Sequence, residues 1–172
     1  DHNNGKGAWA VGAIINPMDG SGKAFLQKIV SSNVTLDDYM KNARTNHPYD
    51  FKVTNGGSSV IDRSFTYTYR GMPIGKDLFG HILYSSGRDI GNMAAGIVAA
   101  KNGIPWSAAR TAFDAYQTKN KMDKNGYSLG NINLEGLSTR NAEAYGWSMM
   151  YRSSNTITES KNLWSTIKSI FK

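Results

Sequence analysis

The sequence contains no cysteine and only three histidines among its 172 residues. The missing cysteines exclude disulfide bonds, thiolate nucleophiles and sulfur-based zinc sites. The histidines, His2, His47 and His81, are too few for a histidine cage, although one of them together with carboxylates would still suffice for a metal site. We expect a protein that works without a metal or another cofactor.

Long apolar runs are also missing. No stretch of 18 apolar residues occurs, so the sequence predicts no transmembrane helix. The start, Asp1 to Asn4, lacks both an initiator methionine and the form of a signal peptide, so we expect either a processed chain or a domain from the C-terminal end of a larger secreted protein. The length of residues 1–172 is typical of one domain, and 40% hydrophobic residues indicate a folded one.

Acidic residues are scarce relative to basic ones. The chain has 20 lysines and arginines against 13 aspartates and glutamates, which gives a net charge of +7. A basic surface favours polyanionic partners, such as nucleic acid, an anionic membrane or the anionic polymers of a cell wall. The basic residues are dispersed and form no tail, so charge alone does not choose among these partners.

The apolar pattern predicts an α+β fold, a mainly helical single domain with a small antiparallel β-sheet. Alternating β-formers predict strands at 49–53 and 65–70, and the apolar stretch 8–15 reads as a further strand or buried segment. Helical periodicity and capping signals predict helices over 22–31, 35–44, 76–86, 89–102, 105–119, 136–152 and 158–171. The polar residues 120–134 are predicted to form a loop, and the small residues around Gly96 are expected to let another element pack closely.

The first segment with chemically able side chains is 47–52. Asp50 and Lys52 are two residues apart, and on a strand they would point to the same face. They would then act together in a groove or form an ordinary ion pair on an exposed face.

The second segment, 80–92, holds the densest set of such groups. His81 titrates near neutrality and can serve as a general acid or base. A helix over 76–86 would place Tyr84 on the same face, three residues further on. Asp89 is either a second acid or base or only the N-cap of the following helix.

Two neighbouring side chains complete this segment as substrate-binding candidates. The guanidinium of Arg88 is suited to a phosphate, which it can contact through two parallel hydrogen bonds. Asn92 and Tyr84 can position or polarise a bound group through their amide and hydroxyl.

Two stretches of the chain match the pattern of one protein family. Its stretch of tryptophan, aspartate, aromatic residue and lysine occurs here as Tyr49-Asp50-Phe51-Lys52, with tyrosine in place of tryptophan. Its aspartate-x-glycine-asparagine run, with a further glycine and a later glutamine, corresponds to Asp89, Gly91, Asn92, Gly96 and Gln117. Over residues 40–118 the chain therefore resembles the type-44 domain of bacterial polymorphic toxins.

This resemblance implies a secreted antibacterial toxin domain that is delivered into competing bacteria. It also implies a cognate immunity protein in the producing cell and a predicted ribonuclease activity. A metal-independent ribonuclease needs an acid, a base and a cation at the phosphate. We assign the acid and base roles to His81 and Asp89, with Asp50 beside them, and the phosphate contacts to Lys52 and Arg88.

Two other functions stay open at this point. A periplasmic peptidoglycan hydrolase would need one or two carboxylates at its cleft, from Asp50, Asp89, Glu135 or Glu143. A non-enzymatic secreted binding module would use the basic surface alone. In each case we expect a monomer.

Overall fold

The computed structural model describes residues 15–44, 47–54, 70–77, 79–125 and 136–151. Over these residues the chain is mainly helical with a two-stranded antiparallel sheet, so the predicted α+β class is confirmed. The elements in chain order are α1 Ser21–Ser31, α2 Leu36–Asn42, α3 Phe51–Thr54, β1 Gly71–Lys76, β2 Ile82–Ser86, α4 Gly87–Lys101, α5 Trp106–Asn125 and α6 at 137–151. None of the described helices has the length and apolar character needed to cross a membrane.

Helix α4 is the centre of the fold. Ile90 and every residue from Met93 to Ala99 are buried, so the helix is apolar on most of its circumference. A helix of this kind must be surrounded by other elements, and α1, α2, α3, α5 and β2 all pack against it. The strand β2 leads directly into its first turn.

Helices α4 and α6 meet at their backbones. A Cβ atom added at Gly96 would overlap the carbonyl oxygen of Glu143 and lie 2.8 Å from the Trp147 nitrogen. A Cβ atom at Gly146 would in turn overlap the carbonyl oxygen of Met93. The close approach predicted around Gly96 is therefore confirmed, whereas the role of Gly146 was not foreseen.

Polar contacts also hold α6 in place. Arg110 of α5 pairs with Glu143 of α6 and with Asp114, and the side chains of Arg110 and Glu143 are only 11% and 3% exposed. From α4, Arg88 Nη2 donates a 3.0 Å hydrogen bond to Thr139 Oγ1. These contacts fix the start of α6 opposite the start of α4.

The predicted helix over 76–86 is wrong. This stretch is half of a hairpin in which Gly71 pairs with Ser86 and Lys76 pairs with Ile82. The chain reverses at Asp77 to His81, where Gly80 adopts φ +87°, a left-handed conformation that glycine reaches without strain. The spacing of apolar residues in a stretch this short is compatible with either a helix or a strand. The turn at Gly80 reverses the chain, and the stretch therefore forms part of a hairpin.

Two further predictions are corrected. The stretch 49–53 is not a strand, because the Asp50 carbonyl accepts hydrogen bonds from Val53 and Thr54 and begins the short helix α3. The predicted loop 120–134 is wrong in its first part, since α5 continues to Asn125.

The other predicted elements divide into two groups. The helices over 22–31, 35–44, 89–102 and 136–152 are confirmed within a few residues at their described ends, and the helix over 105–119 is confirmed but continues to Asn125. The predictions for 158–171, for 8–14, for 65–69 and for 126–134 lie outside the described residues, with Ile15 forming an isolated bridge to Gly71.

Candidate functional site

A pocket of about 450 Å³ opens between the β2–α4 junction and α6. Its lining comes from elements far apart in the sequence: Ile15, Gly71, Tyr84, Ser85, Ser86, Asp89, Met93, Ser138, Asn141, Ala142 and Tyr145. Among these side chains Asp89 is the only charged one. The pocket therefore presents one carboxyl group among hydroxyl, amide and aromatic groups.

The helix start holds Asp89 in a defined position. Ser86, the last residue of β2, is the N-cap of α4, so the alternative that Asp89 itself is the N-cap is wrong. The Asp89 backbone N–H donates to Ser86 Oγ at 3.1 Å, and the Ser86 hydroxyl donates to Asp89 Oδ2 at 2.9 Å. This reciprocal pair has the spacing of a capping box, with the difference that Asp89 accepts from the hydroxyl of the cap residue and not from its backbone N–H. It orients the carboxyl group beside the pocket.

The second oxygen of Asp89 is unusual for a buried atom. Oδ1 is buried and has no hydrogen-bond partner among the described residues, and the same holds for Nδ2 of Asn92 one turn further along α4. Buried polar atoms are nearly always hydrogen-bonded, and leaving one unpaired costs about 1–3 kcal/mol. Two unpaired polar atoms lie one turn apart on α4, and Asp89 also lines the pocket, so this part of the helix is the candidate functional site.

Two tyrosines stand at the pocket from opposite sides. Tyr84 comes from β2 and is 43% exposed, and Tyr145 comes from α6 and is 37% exposed. Asn141 and Ser138 add an amide and a hydroxyl from α6. Apolar faces combined with a few polar groups are the usual way in which a pocket binds and orients a small polar ligand.

No protein-family model, no characterised protein and no solved structure matches this chain.

His81 does not lie in this pocket. It sits in the hairpin turn, 76% exposed, with Nδ1 2.9 Å from Asp77 Oδ2. Five strand residues at about 3.4 Å each separate it from Ser86 by roughly 17 Å. The structure thus keeps His81 apart from Asp89, and the shared helical face predicted for His81 and Tyr84 does not exist because that helix is absent.

Asp50 and Lys52 form a pair away from the pocket. Lys52 Nζ lies 2.9 Å from Asp50 Oδ1, and the Asp50 side chain is only 2% exposed. Burial, followed by the nearby Asp50 carboxylate, raises the pKa of Tyr39 above its ordinary value. The Tyr39 hydroxyl therefore stays protonated and donates a 2.7 Å hydrogen bond to the Gly91 carbonyl. This arrangement ties α2 and α3 to α4.

The remaining predicted residues are distributed as follows. Arg88 turns towards Thr139 and does not line the pocket, and Asn92 lies on α4 one turn beyond Asp89. Glu143 is held by Arg110, and Glu135 lies outside the described residues. In the part of the chain that the structure describes, no group of three or more histidine, aspartate or glutamate side chains is placed to hold a metal ion.

Several pocket residues were not predicted. Ser86 had a local signal, since Ser86-x-x-Asp89 has the spacing of a capping box. No sequence signal identified the pocket residues of α6, because helical periodicity alone does not tell which face of α6 lies towards β2. These residues are Ser138, Asn141 and Tyr145.

The turn around His81 gives a pH-dependent prediction. Hydrogen bonds to Asp77 from the His81 ring and from the His81 and Phe79 amides lower the pKa of Asp77 below its ordinary value of 3.8. A carboxyl group whose pKa is lower in the folded protein stabilises the fold. This stability is fully present at pH values above the pKa of the unfolded chain, and it is lost as the pH falls through the pKa of the folded protein. Asparagine does not titrate, so we expect the free energy of unfolding of Asp77→Asn to fall less than that of the wild type as the pH is lowered. Urea unfolding at a series of acidic pH values measures the difference. Parallel curves for the variant and the wild type would contradict this role.

Proposed function

We propose that this chain is a toxin domain of a secreted bacterial effector, and that it hydrolyses a cell-wall glycan with Asp89 as proton donor. The observation that carries the proposal is the pocket, in which the Asp89 carboxyl group stands among neutral hydrogen-bonding and aromatic side chains. The toxin context, delivery into competing bacteria and a protecting immunity protein follow from the type-44 resemblance over residues 40–118.

The composition of the pocket favours a sugar over a phosphodiester. A nuclease must stabilise the charge on its substrate's phosphate with cations, and the described lining contains no lysine, arginine or histidine. A glycan presents neutral hydroxyls, which match Ser138 and Asn141, and apolar ring faces, which match Tyr84 and Tyr145.

Glycosidases usually place a pair of carboxyl groups at the scissile bond. The described lining supplies one, so in this proposal Asp89 serves as the acid of the first step and as the base of the second. Protonated Asp89 gives its proton to the glycosidic oxygen while the bond from that oxygen to the anomeric carbon breaks. A water molecule adds its oxygen to the anomeric carbon, and the proton it loses restores the Asp89 carboxyl group. The hydrogen bond from Ser86 to Oδ2 keeps the group in one orientation through both steps.

The charge of the whole chain is consistent with this substrate. The net charge of +7 would draw the domain to the anionic polymers of a bacterial wall. The same charge favours RNA, and the resemblance implies ribonuclease activity, so RNA cleavage is the second candidate.

The test compares the two substrates directly. The purified chain is incubated with isolated peptidoglycan sacculi and, separately, with total RNA. We expect soluble fragments carrying new reducing ends from the sacculi and intact RNA. In cells we expect lysis when the chain is exported to the periplasm and normal growth when it stays in the cytoplasm.

The other outcomes are equally informative. RNA loss with intact sacculi would replace the proposal by ribonuclease activity. An absence of toxicity by either route, together with unchanged substrates, would favour a binding module.

The variant His81→Ala tests the assignment of the site. We expect it to retain glycan hydrolysis, whereas an acid or base role for His81 predicts the loss of that activity.

A further inference from the structure

The β1–β2 hairpin carries an exposed apolar face that lies outside the pocket except for Tyr84, which belongs to both. We call it the hairpin face, and its members are Lys76, Phe79, Ile82 and Tyr84. Phe79 is 84% exposed and Ile82 is 52% exposed, so one short hairpin carries two large exposed apolar side chains. Lys76 is exposed and pairs directly with Ile82 across the hairpin, so its cation lies beside the apolar groups.

The turn that presents Phe79 is held by several hydrogen bonds. Asp77 Oδ1 accepts from the backbone N–H of Phe79 at 2.8 Å and of His81 at 2.9 Å. The Asp77 N–H donates to the His81 carbonyl at 2.9 Å and closes the turn. A side chain displayed on a preorganised turn loses little backbone freedom on binding. The His81 ring also contacts Asp77, the only acidic side chain described in this turn.

We propose that the hairpin face docks the domain on an anionic lipid bilayer. The exposed aromatic and aliphatic groups would enter the headgroup region, and Lys76 together with the net charge of +7 would complement the lipid phosphates. A stable protein interface needs about 800 Å² on each partner, far more than a hairpin turn with two or three large side chains supplies. A bilayer needs no complementary shape, so the small convex turn fits it better.

Docking in this way would bring the pocket to the membrane surface. Ile82 and Tyr84 are two residues apart on β2, so they point to the same side at a spacing of about 7 Å. Tyr84 lines the pocket as well as belonging to the hairpin face. The proposal does not depend on which substrate the pocket takes.

The test is co-sedimentation of the whole chain with two kinds of vesicle. One contains equal parts of phosphatidylglycerol and phosphatidylcholine, and the other contains phosphatidylcholine alone. We expect binding to the anionic vesicles only, and weaker binding as salt rises. Phe79→Ser should lower the partition coefficient about tenfold, and Lys76→Gln should lower it about fivefold.

The matched control is Met18→Ser. Met18 is 89% exposed and lies outside the hairpin, so the same loss of exposed apolar surface should leave vesicle binding unchanged. Ile82→Ser gives a third hairpin variant, which should also bind less, and circular dichroism checks that each protein is folded. Wild-type binding by Phe79→Ser and Ile82→Ser, or no preference for anionic vesicles, would overturn the proposal. Because glycan release from sacculi is measured without lipid, a failure of docking is distinguishable from a failure of the hydrolase assignment.

Discussion

Replacing Asp89 with asparagine is expected to lower the rate of glycan hydrolysis by about 10³-fold while the protein stays folded. Asparagine keeps a side-chain oxygen that can accept the hydrogen bond from Ser86, but it has no acidic proton to give to the departing sugar oxygen. The helix start is therefore largely preserved and the chemistry is lost. Reducing-end release from sacculi measures the rate, and thermal unfolding measures the fold.

The chain provides a closely matched control for this substitution. Helix α2 begins with the same motif, in which Thr35 Oγ1 donates to Asp38 Oδ2 at 2.7 Å and accepts from the Asp38 N–H at 3.1 Å. Asp38→Asn makes the same change to an exposed capping box that does not line the pocket. We expect equal small changes in stability for the two variants and a loss of activity only for Asp89→Asn. Equal activities would remove Asp89 from the mechanism.

The second large effect is expected at the crossing of α4 and α6. Gly96→Ala should lower the free energy of unfolding by about 3 kcal/mol or more, because the added methyl group would occupy the position of backbone atoms. Backbone atoms of Glu143 and Trp147 cannot rotate away as a side chain can, so α6 must move as a whole. Since α6 carries one wall of the pocket, hydrolysis should fall with stability. Urea unfolding and the sacculus assay measure the two effects.

Gly91→Ala is the control on the same helix. A Cβ atom at Gly91 would meet nothing within 4 Å. Alanine is a better helix former than glycine, so we expect a gain of about 0.5–1 kcal/mol in stability. A similar loss at both positions would mean that glycine matters here for helix geometry in general, and not for the contact with α6.

The candidate site was only partly predictable. Asp89 and Tyr84 were chosen from the sequence for their chemistry, and both line the pocket. His81 was chosen on the same grounds but lies in the hairpin turn, because the stretch around it forms strands and not the predicted helix. Residue chemistry identifies groups that are able to react, but only the fold decides which of them meet.

The sequence by itself determined the features that depend on neighbouring residues. The helices follow from local periodicity and capping, as in Thr35-x-x-Asp38 and Ser86-x-x-Asp89, where the cap side chain accepts from a backbone N–H of the first turn. The lack of cysteine and the charge of +7 are likewise properties of the chain alone.

Only the tertiary structure decided the rest. A strand is stabilised by its partner, so the pairing of 71–76 with 82–86 is not contained in either stretch. The pocket also depends on the close approach of α6 to α4 at Gly96 and Gly146, which places Tyr145 and Asp89 in the same lining. Contacts between residues about fifty positions apart depend on packing, and local patterns carry no record of them.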